Sequence, residues 1–209
     1  MRTRIKICGI TSVEDALAAA RLGADAIGLV FYPPSPRYVE VEQAAEIAAA
    51  LPPFVTTVAL FVNADEQTIA DVVSRVRIDL IQFHGNECKD YCGLHQRPYI
   101  KAVRMSDDVD LDKQLNDFSQ ARGLLLDTYK AGVPGGTGEQ FNWDRVPAHV
   151  ADKIILAGGL TPENVKDAVA QVHPYAVDVS GGVESVPGKK DTEKMARFIE
   201  AVRSQESRS

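Results

Sequence analysis

The chain has 209 residues, enough for one substantial α/β core. Apolar residues make up 45% and charged residues 25%, as in an ordinary globular protein. The formal net charge of −6 argues against nucleic acid or an anionic membrane as partner, and no apolar stretch approaches the roughly 20 residues of a membrane span.

Apolar runs predict strands over 4–8, 25–31, 55–61, 78–83, 98–103, 122–127, 153–157 and 175–179. Helical periodicity falls between them, over 12–22, 41–51, 66–76, 86–95, 107–117, 162–172 and 191–203, with a short piece near 143–147. Ser12 followed by Asp15 resembles an N-terminal cap, and Gly23 stands where a helix should stop. Thr161-Pro162-Glu163 predicts a cap, a proline at the first helical position and an acid in the first turn.

Strands that alternate with helices imply a parallel sheet, because parallel strands need crossover connections. Eight such units favour a closed (β/α)₈ TIM barrel with parallel strands. A doubly wound open sheet is the alternative, but the first strand-to-helix turn is Cys8-Gly9-Ile10-Thr11 rather than G-x-G-x-x-G. The expectation is one barrel domain over 1–203, with a frayed tail over 204–209.

Met1-Arg2-Thr3-Arg4-Ile5 is basic, but no signal-peptide apolar region follows, so the expected location is cytoplasmic. Cys8, Cys88 and Cys92 are an odd set with no closed disulfide framework. Cys88 and Cys92 with His84 and His95 suggest a metal site only weakly, since no second zinc-type ligand cluster follows; no metal is expected.

Two apolar runs end in glycine doublets, Leu156-Ala157-Gly158-Gly159-Leu160 and Val177-Asp178-Val179-Ser180-Gly181-Gly182-Val183-Glu184. In a (β/α)₈ barrel the loops after strands 7 and 8 often form a phosphate site. Glycine lets backbone N–H groups approach phosphate oxygens closely. A pair of plain tight turns is the competing reading. Two further connections are long, Tyr32–Tyr38 and the Gly-rich stretch from Thr128 to about Trp143. Both follow strand C-termini, where loops tend to cover substrate.

The strand ends also present chemistry. Cys8 precedes the turn into the first helix; its thiolate would be a competent base or nucleophile, and a nearby cation would raise the thiolate fraction. It is equally read as a small buried core cysteine. Asp127 ends an apolar strand, where desolvation suits a general acid. A cap or a structural salt bridge is its other reading. Arg37, in a loop stiffened by Pro33, Pro34 and Pro36, has a guanidinium able to hold a carboxylate in two parallel hydrogen bonds, or else is a solvated surface residue. His84 either donates to substrate or fixes the loop after the fourth strand. Asp178, beside the second glycine turn, is read as orienting backbone or loop groups.

Together these blocks resemble the phosphoribosylanthranilate isomerase family of tryptophan biosynthesis. The resemblance rests on Lys6-Ile7-Cys8-Gly9-Ile10-Thr11, Gly28-Leu29-Val30-Phe31 with Ser35-Pro36-Arg37, Val58–Asn63, Gln82-Phe83-His84-Gly85, Leu126-Asp127, Gly135-Gly136-Thr137-Gly138, Phe141-Asn142-Trp143 and the two glycine turns. It spans essentially the whole chain; Phe83 departs from the aliphatic residue common there. The resemblance implies an Amadori rearrangement of N-(5-phospho-β-D-ribosyl)anthranilate, a small sugar phosphate, without a cofactor. It implies Cys8 as general base, Asp127 as general acid, Arg37 on the anthranilate carboxylate, and phosphate on Gly158, Gly159, Ser180, Gly181 and Gly182. A monomer or homodimer is expected. Two rivals remain. One is a decarboxylating indole-glycerol-phosphate-synthase-like barrel using Lys6 or Lys101 as acid, for which matching glutamates are not evident. The other is a non-catalytic phosphate-binding module.

Overall fold

The computed structural model describes residues 2–128 and 141–205. Eight strands form where the apolar runs predict them: β1 (Arg4–Cys8), β2 (Ala26–Val30), β3 (Thr56–Phe61), β4 (Leu80–Phe83), β5 (Tyr99–Met105), β6 (Leu124–Thr128), β7 (Ile154–Leu156) and β8 (Ala176–Val179). They pair in chain order, all parallel, and β8 closes on β1. The fold is a closed (β/α)₈ barrel. The helices are α1 (Val13–Leu22), α2 (Val41–Ala50), α3 (Glu66–Arg75), α4 (Lys89–Gly93), α5 (Leu111–Asp117), α6 (Val165–Val172) and α7 (Thr192–Arg203). Two 3-10 turns, Trp143–Arg145 and Ala148–Lys153, stand between β6 and β7.

Side chains alternate across a strand, so each strand serves two layers. The outward set, with Ile7, Leu29, Phe61, Ile81, Leu126 and Val177, packs under the helices with residues such as Ile47 and Phe198. The inward set, with Ile100, Ala102, Leu125, Ile155 and Ala176, fills the barrel. Toward the C-terminal strand ends the inward positions turn polar, at Cys8, Gln82, His84, Asp127 and Asp178, all buried. Buried polar groups are costly unless paired, so their partners define the site. Phe83 faces outward and contacts the rings of Tyr91, His95 and Tyr99, so its departure from the family pattern lies outside the barrel interior.

Local chemistry sets the helix ends. The Ser12 side chain accepts from the Asp15 N–H, and Gly23 ends α1 at φ 98°, as the sequence indicates. Three helices begin later than their periodicity suggests. Glu87 accepts from the N–H groups of Asn63 and Gly85, which holds the chain in a loop before α4. Asp110 caps α5 by accepting from Lys113 N–H. Thr161–Asn164 folds into a turn in which Asn164 Oδ1 accepts from Thr161 N–H, so Pro162 lies ahead of α6 and not at its first position.

One element has no counterpart in the sequence reading. After β8 come a 3-10 turn, Gly181–Val183, and a hairpin of β9 (Glu184–Val186) and β10 (Lys189–Lys190). The Gly-rich segment 129–140, with Gly135-Gly136-Thr137-Gly138, lies outside the described residues, as do 206–209 of the expected tail. Among the described residues no helix is long and apolar enough to cross a membrane.

Candidate active site

A cavity of about 500 Å³ opens at the C-terminal strand ends. It is lined by Cys8, Arg37, His84, Asp127, Gly158, Gly159, Asp178, Ser180, Gly181 and Gly182, so every site residue named from the sequence meets in one place. They come from β1, β6 and β8, from the position just after β4, and from the loops after β2, β7 and β8.

Cys8 is 5% exposed. Burial pushes its thiol up; the Lys6 ammonium pulls it down and the Asp178 carboxylate pushes it up again, for a net rise above the ordinary thiol value. A cation therefore stands near Cys8, but burial outweighs it. Lys6 Nζ donates to Asp178 Oδ1 at 2.9 Å, and these residues sit opposite each other in the β1–β8 ladder.

Asp127 is also buried, and its Oδ1 accepts from the Thr128 N–H at 2.8 Å. Its Oδ2 lies 3.1 Å from His84 Nε2. His84 Nδ1 lies 2.9 Å from Gln82 Nε2, so the amide assigns the imidazole proton to Nε2 and directs it at Asp127. Gln82, two residues before His84 on the same inward face, is a member of the site that its residue type did not reveal.

Arg37 is no surface arginine. Its Nε and Nη2 donate to the two oxygens of Glu184, each at 2.8 Å. The parallel two-bond grip expected for a ligand carboxylate is thus already spent on a protein carboxylate along that edge. The bonds leave Nη1 and the second Nη2 hydrogen for another acceptor. Glu184 in turn accepts from Lys190 Nζ at 2.8 Å, and Lys190 also donates to the Ser180 carbonyl at 3.2 Å. This network was not legible as a site in the sequence, because the hairpin that carries Lys190 was not.

The two glycine turns touch. A Cβ on Gly182 would lie 2.0 Å from the Leu160 carbonyl oxygen, a contact no side chain permits. Gly158 and Gly159 both have positive φ, 78° and 65°, which L side chains rarely adopt. Ser180 Oγ is buried beside this wall without a hydrogen-bond partner among the described residues.

Elsewhere the sequence candidates separate. His84 faces the cavity, whereas His95 packs on Phe83 outside the barrel and Cys92 is buried with its thiol pushed up to about 12 by burial. Among the described residues no group of three His, Cys, Asp or Glu side chains stands as a metal set. Lys101 meets Glu87 at 3.3 Å and lies over the Phe118 ring, outside the cavity. The lysine–glutamate pair missing from the sequence reading therefore exists, away from the strand-end pocket.

Fold and cavity define a (β/α)₈-barrel protein with a thiol, a carboxylate and paired glycine turns around one strand-end pocket. The model of the N-(5′-phosphoribosyl)anthranilate (PRA) isomerase family matches residues 5–201. A curated relative from Nitrosococcus oceani named N-(5′-phosphoribosyl)anthranilate isomerase is 57% identical, covering 97% of this chain and 98% of the relative. The solved phosphoribosyl anthranilate isomerase from Thermotoga maritima superposes with a TM-score of 0.88 at 43% identity, over 97% of this chain and 99% of that one. A further solved relative, in complex with reduced 1-(o-carboxyphenylamino)-1-deoxyribulose 5-phosphate, gives 0.82 at 41% identity, with 97% and 99% covered. The chain belongs to the phosphoribosylanthranilate isomerase family.

Proposed function

We infer that the chain converts N-(5-phospho-β-D-ribosyl)anthranilate to 1-(2-carboxyphenylamino)-1-deoxy-D-ribulose 5-phosphate, in tryptophan biosynthesis. The observation that carries the site assignment is that Cys8 and Asp127 line one cavity whose other walls are Arg37 and the two glycine turns. In this reading Arg37 meets the anthranilate carboxylate. Gly158, Gly159, Ser180, Gly181 and Gly182 receive the phosphate, with the unpartnered Ser180 hydroxyl supplying a donor. Asp178 holds Lys6 and does not meet an anion.

The chemistry needs two proton transfers in order. Protonated Asp127 gives its proton to the ring oxygen, and the C1–O bond breaks to leave a positively charged Schiff base. That charge acidifies the proton on C2. The Cys8 thiolate removes it, and the C–H electron pair becomes the double bond of an enolamine. Relaxation to the amino-ketone returns one proton to C1 and releases one from the 2-hydroxyl, so no net proton is consumed. No hydride or external cofactor enters this sequence. His84, with its proton toward Asp127, keeps the acid aimed at the ring oxygen. Each acid or base contributes about 10²–10⁴-fold, and anchoring both substrate ends adds positioning.

The enzyme is assigned to the cytoplasm, as a monomer or homodimer acting on a soluble substrate. The test is loss of fluorescence of phosphoribosylanthranilate formed in situ. Turnover is the expected result; binding without turnover would leave a phosphate-binding module instead.

A further inference from the structure

Cys8 lies in an unusually populated charge environment. Lys6 precedes it by two residues and therefore points to the same face of β1. Gly28 is paired with Cys8 across the β1–β2 ladder. A Cβ there would lie 2.7 Å from Cys8 Sγ and 3.2 Å from Lys6 Cε, so the missing side chain makes the space in which both lie together. Asp178 on β8 holds the other side of the Lys6 ammonium at 2.9 Å. Lys190 on β10 and Arg37 in the loop after β2 also act on Cys8 electrostatically. Those two share Glu184. His84 and Asp127 line the same cavity from the β4 and β6 sides. Three cations, Lys6, Arg37 and Lys190, thus stand around Cys8 with the carboxylates of Asp178 and Glu184.

We propose that Lys6 is the positioning residue that favours ionisation of Cys8 against the cost of burial, sharing its ammonium between Sγ and the Asp178 carboxylate. The Lys6 side chain is only 6% exposed, so water does not screen the interaction strongly. The directions of the ionisation effects agree: Lys6 lowers Cys8, and Cys8 raises Lys6. Asp178 then acts as a brake. It keeps a buried lysine charged in the empty site and opposes ionisation of the thiol. The role in catalysis rests on Cys8 being the base; the electrostatic pairing does not.

The experiment is a pH titration of thiolate ultraviolet absorbance in the full chain, taken as the difference from Cys8→Ala so that Cys88 and Cys92 cancel. Lys6→Met is expected to move the Cys8 midpoint up by about one to three pH units. Asp178→Asn is expected to move it down, because Lys6 then has Cys8 as its remaining partner. Should Lys6→Met fold poorly, the double variant Lys6→Met/Asp178→Asn leaves neither member of the pair charged. It should titrate above Asp178→Asn. A midpoint that is the same in Asp178→Asn and the double variant would overturn the assignment. The pH profile of kcat/KM separates the two claims. If Cys8→Ala keeps its activity while the Lys6 shift is present, the base assignment fails and the pairing stands. If Cys8→Ala is inactive and Lys6→Met leaves the midpoint unmoved, the pairing fails alone.

Discussion

Arg37 and Glu184, 147 residues apart in sequence, meet in two parallel hydrogen bonds of 2.8 Å. The pair fixes the plane of the guanidinium before any ligand arrives. In the proposed reading a ligand carboxylate then meets a preset donor edge, which lowers the ordering cost of binding.

Arg37→Ala should lower kcat/KM by roughly 10–150-fold, the range of one charge-assisted bond. The loss should appear mainly in KM if the contact is equal in ground and transition states. Arg37→Lys should recover only part, because an ammonium loses the planar fork. An analogue without the carboxylate should bind wild type and Arg37→Ala alike. If the variant weakens that analogue as much as the substrate, Arg37 supports the loop and does not read the carboxylate.

Cys8→Ala and Asp127→Asn should each reduce kcat by about 10² or more, with circular dichroism unchanged. Near-wild-type turnover in either variant removes that residue from the mechanism. In the free enzyme kcat/KM should rise with pH as the Cys8 thiol ionises. Burial carries that rise above the ordinary thiol range, Lys6 notwithstanding. A profile that stays flat from about pH 5 to 9, with chemistry rate-limiting, would count against the pair.

Glu184 predicts a pH dependence of stability. Burial pushes its carboxyl up, but Arg37 and Lys190 pull it down further, and the net value is below the ordinary one. A depressed carboxyl stabilises the folded chain above its unfolded pKa, and that contribution is lost as pH falls through the folded value. Glu184→Gln should therefore cost on the order of 3 kcal/mol near neutrality, somewhat less to the extent that Arg37 is solvated. The gap between variant and wild type should narrow as pH drops below the usual carboxylate range. Urea unfolding at neutral and acidic pH measures it; a gap that does not depend on pH would show that packing, not charge, is lost.

Gly181→Ala tests the phosphate wall. A Cβ there meets Arg37 Nη2 at 3.1 Å and no backbone outside its own chain neighbours, so the fold should tolerate it. Substrate binding should weaken, and a phosphate-free analogue should be affected much less. Equal losses would indicate that the change acts through Arg37. Gly182 is a poor choice for the same test, since its Cβ would strike the Leu160 carbonyl.

The barrel and its strand-end side chains were legible because both follow from local pattern. A strand with period-two alternation that ends in Cys8 or Asp127 delivers that side chain to the open face wherever its neighbours come from. The supporting pairs were not legible. Lys6 with Asp178 spans 172 residues, and nothing in either local stretch names the other. Glu87 looks like the first turn of a helix until its bonds to Asn63 and Gly85 are known. The hairpin over 184–190 escaped for another reason. Its strands are two and three residues long and rich in charge, and its key lysine is buried by a carboxylate six residues away. Asn164, rather than the sequence signal of Pro162, decides where α6 begins.

The β1–β8 seam has a consequence for biosynthesis of the chain. Lys6 leaves the ribosome long before its partner Asp178, which is made 172 residues later. Helix α7 packs on α1, and Arg203 donates to the Gly23 carbonyl across the same seam. A nascent chain paused before β8 would present an unclosed sheet edge with an unpaired lysine behind it. Such an edge favours chaperone capture over activity. Closure of the ring thus waits on the last strand, so that a chain stopped before β8 carries Lys6 and Cys8 without the Asp178 that frames them.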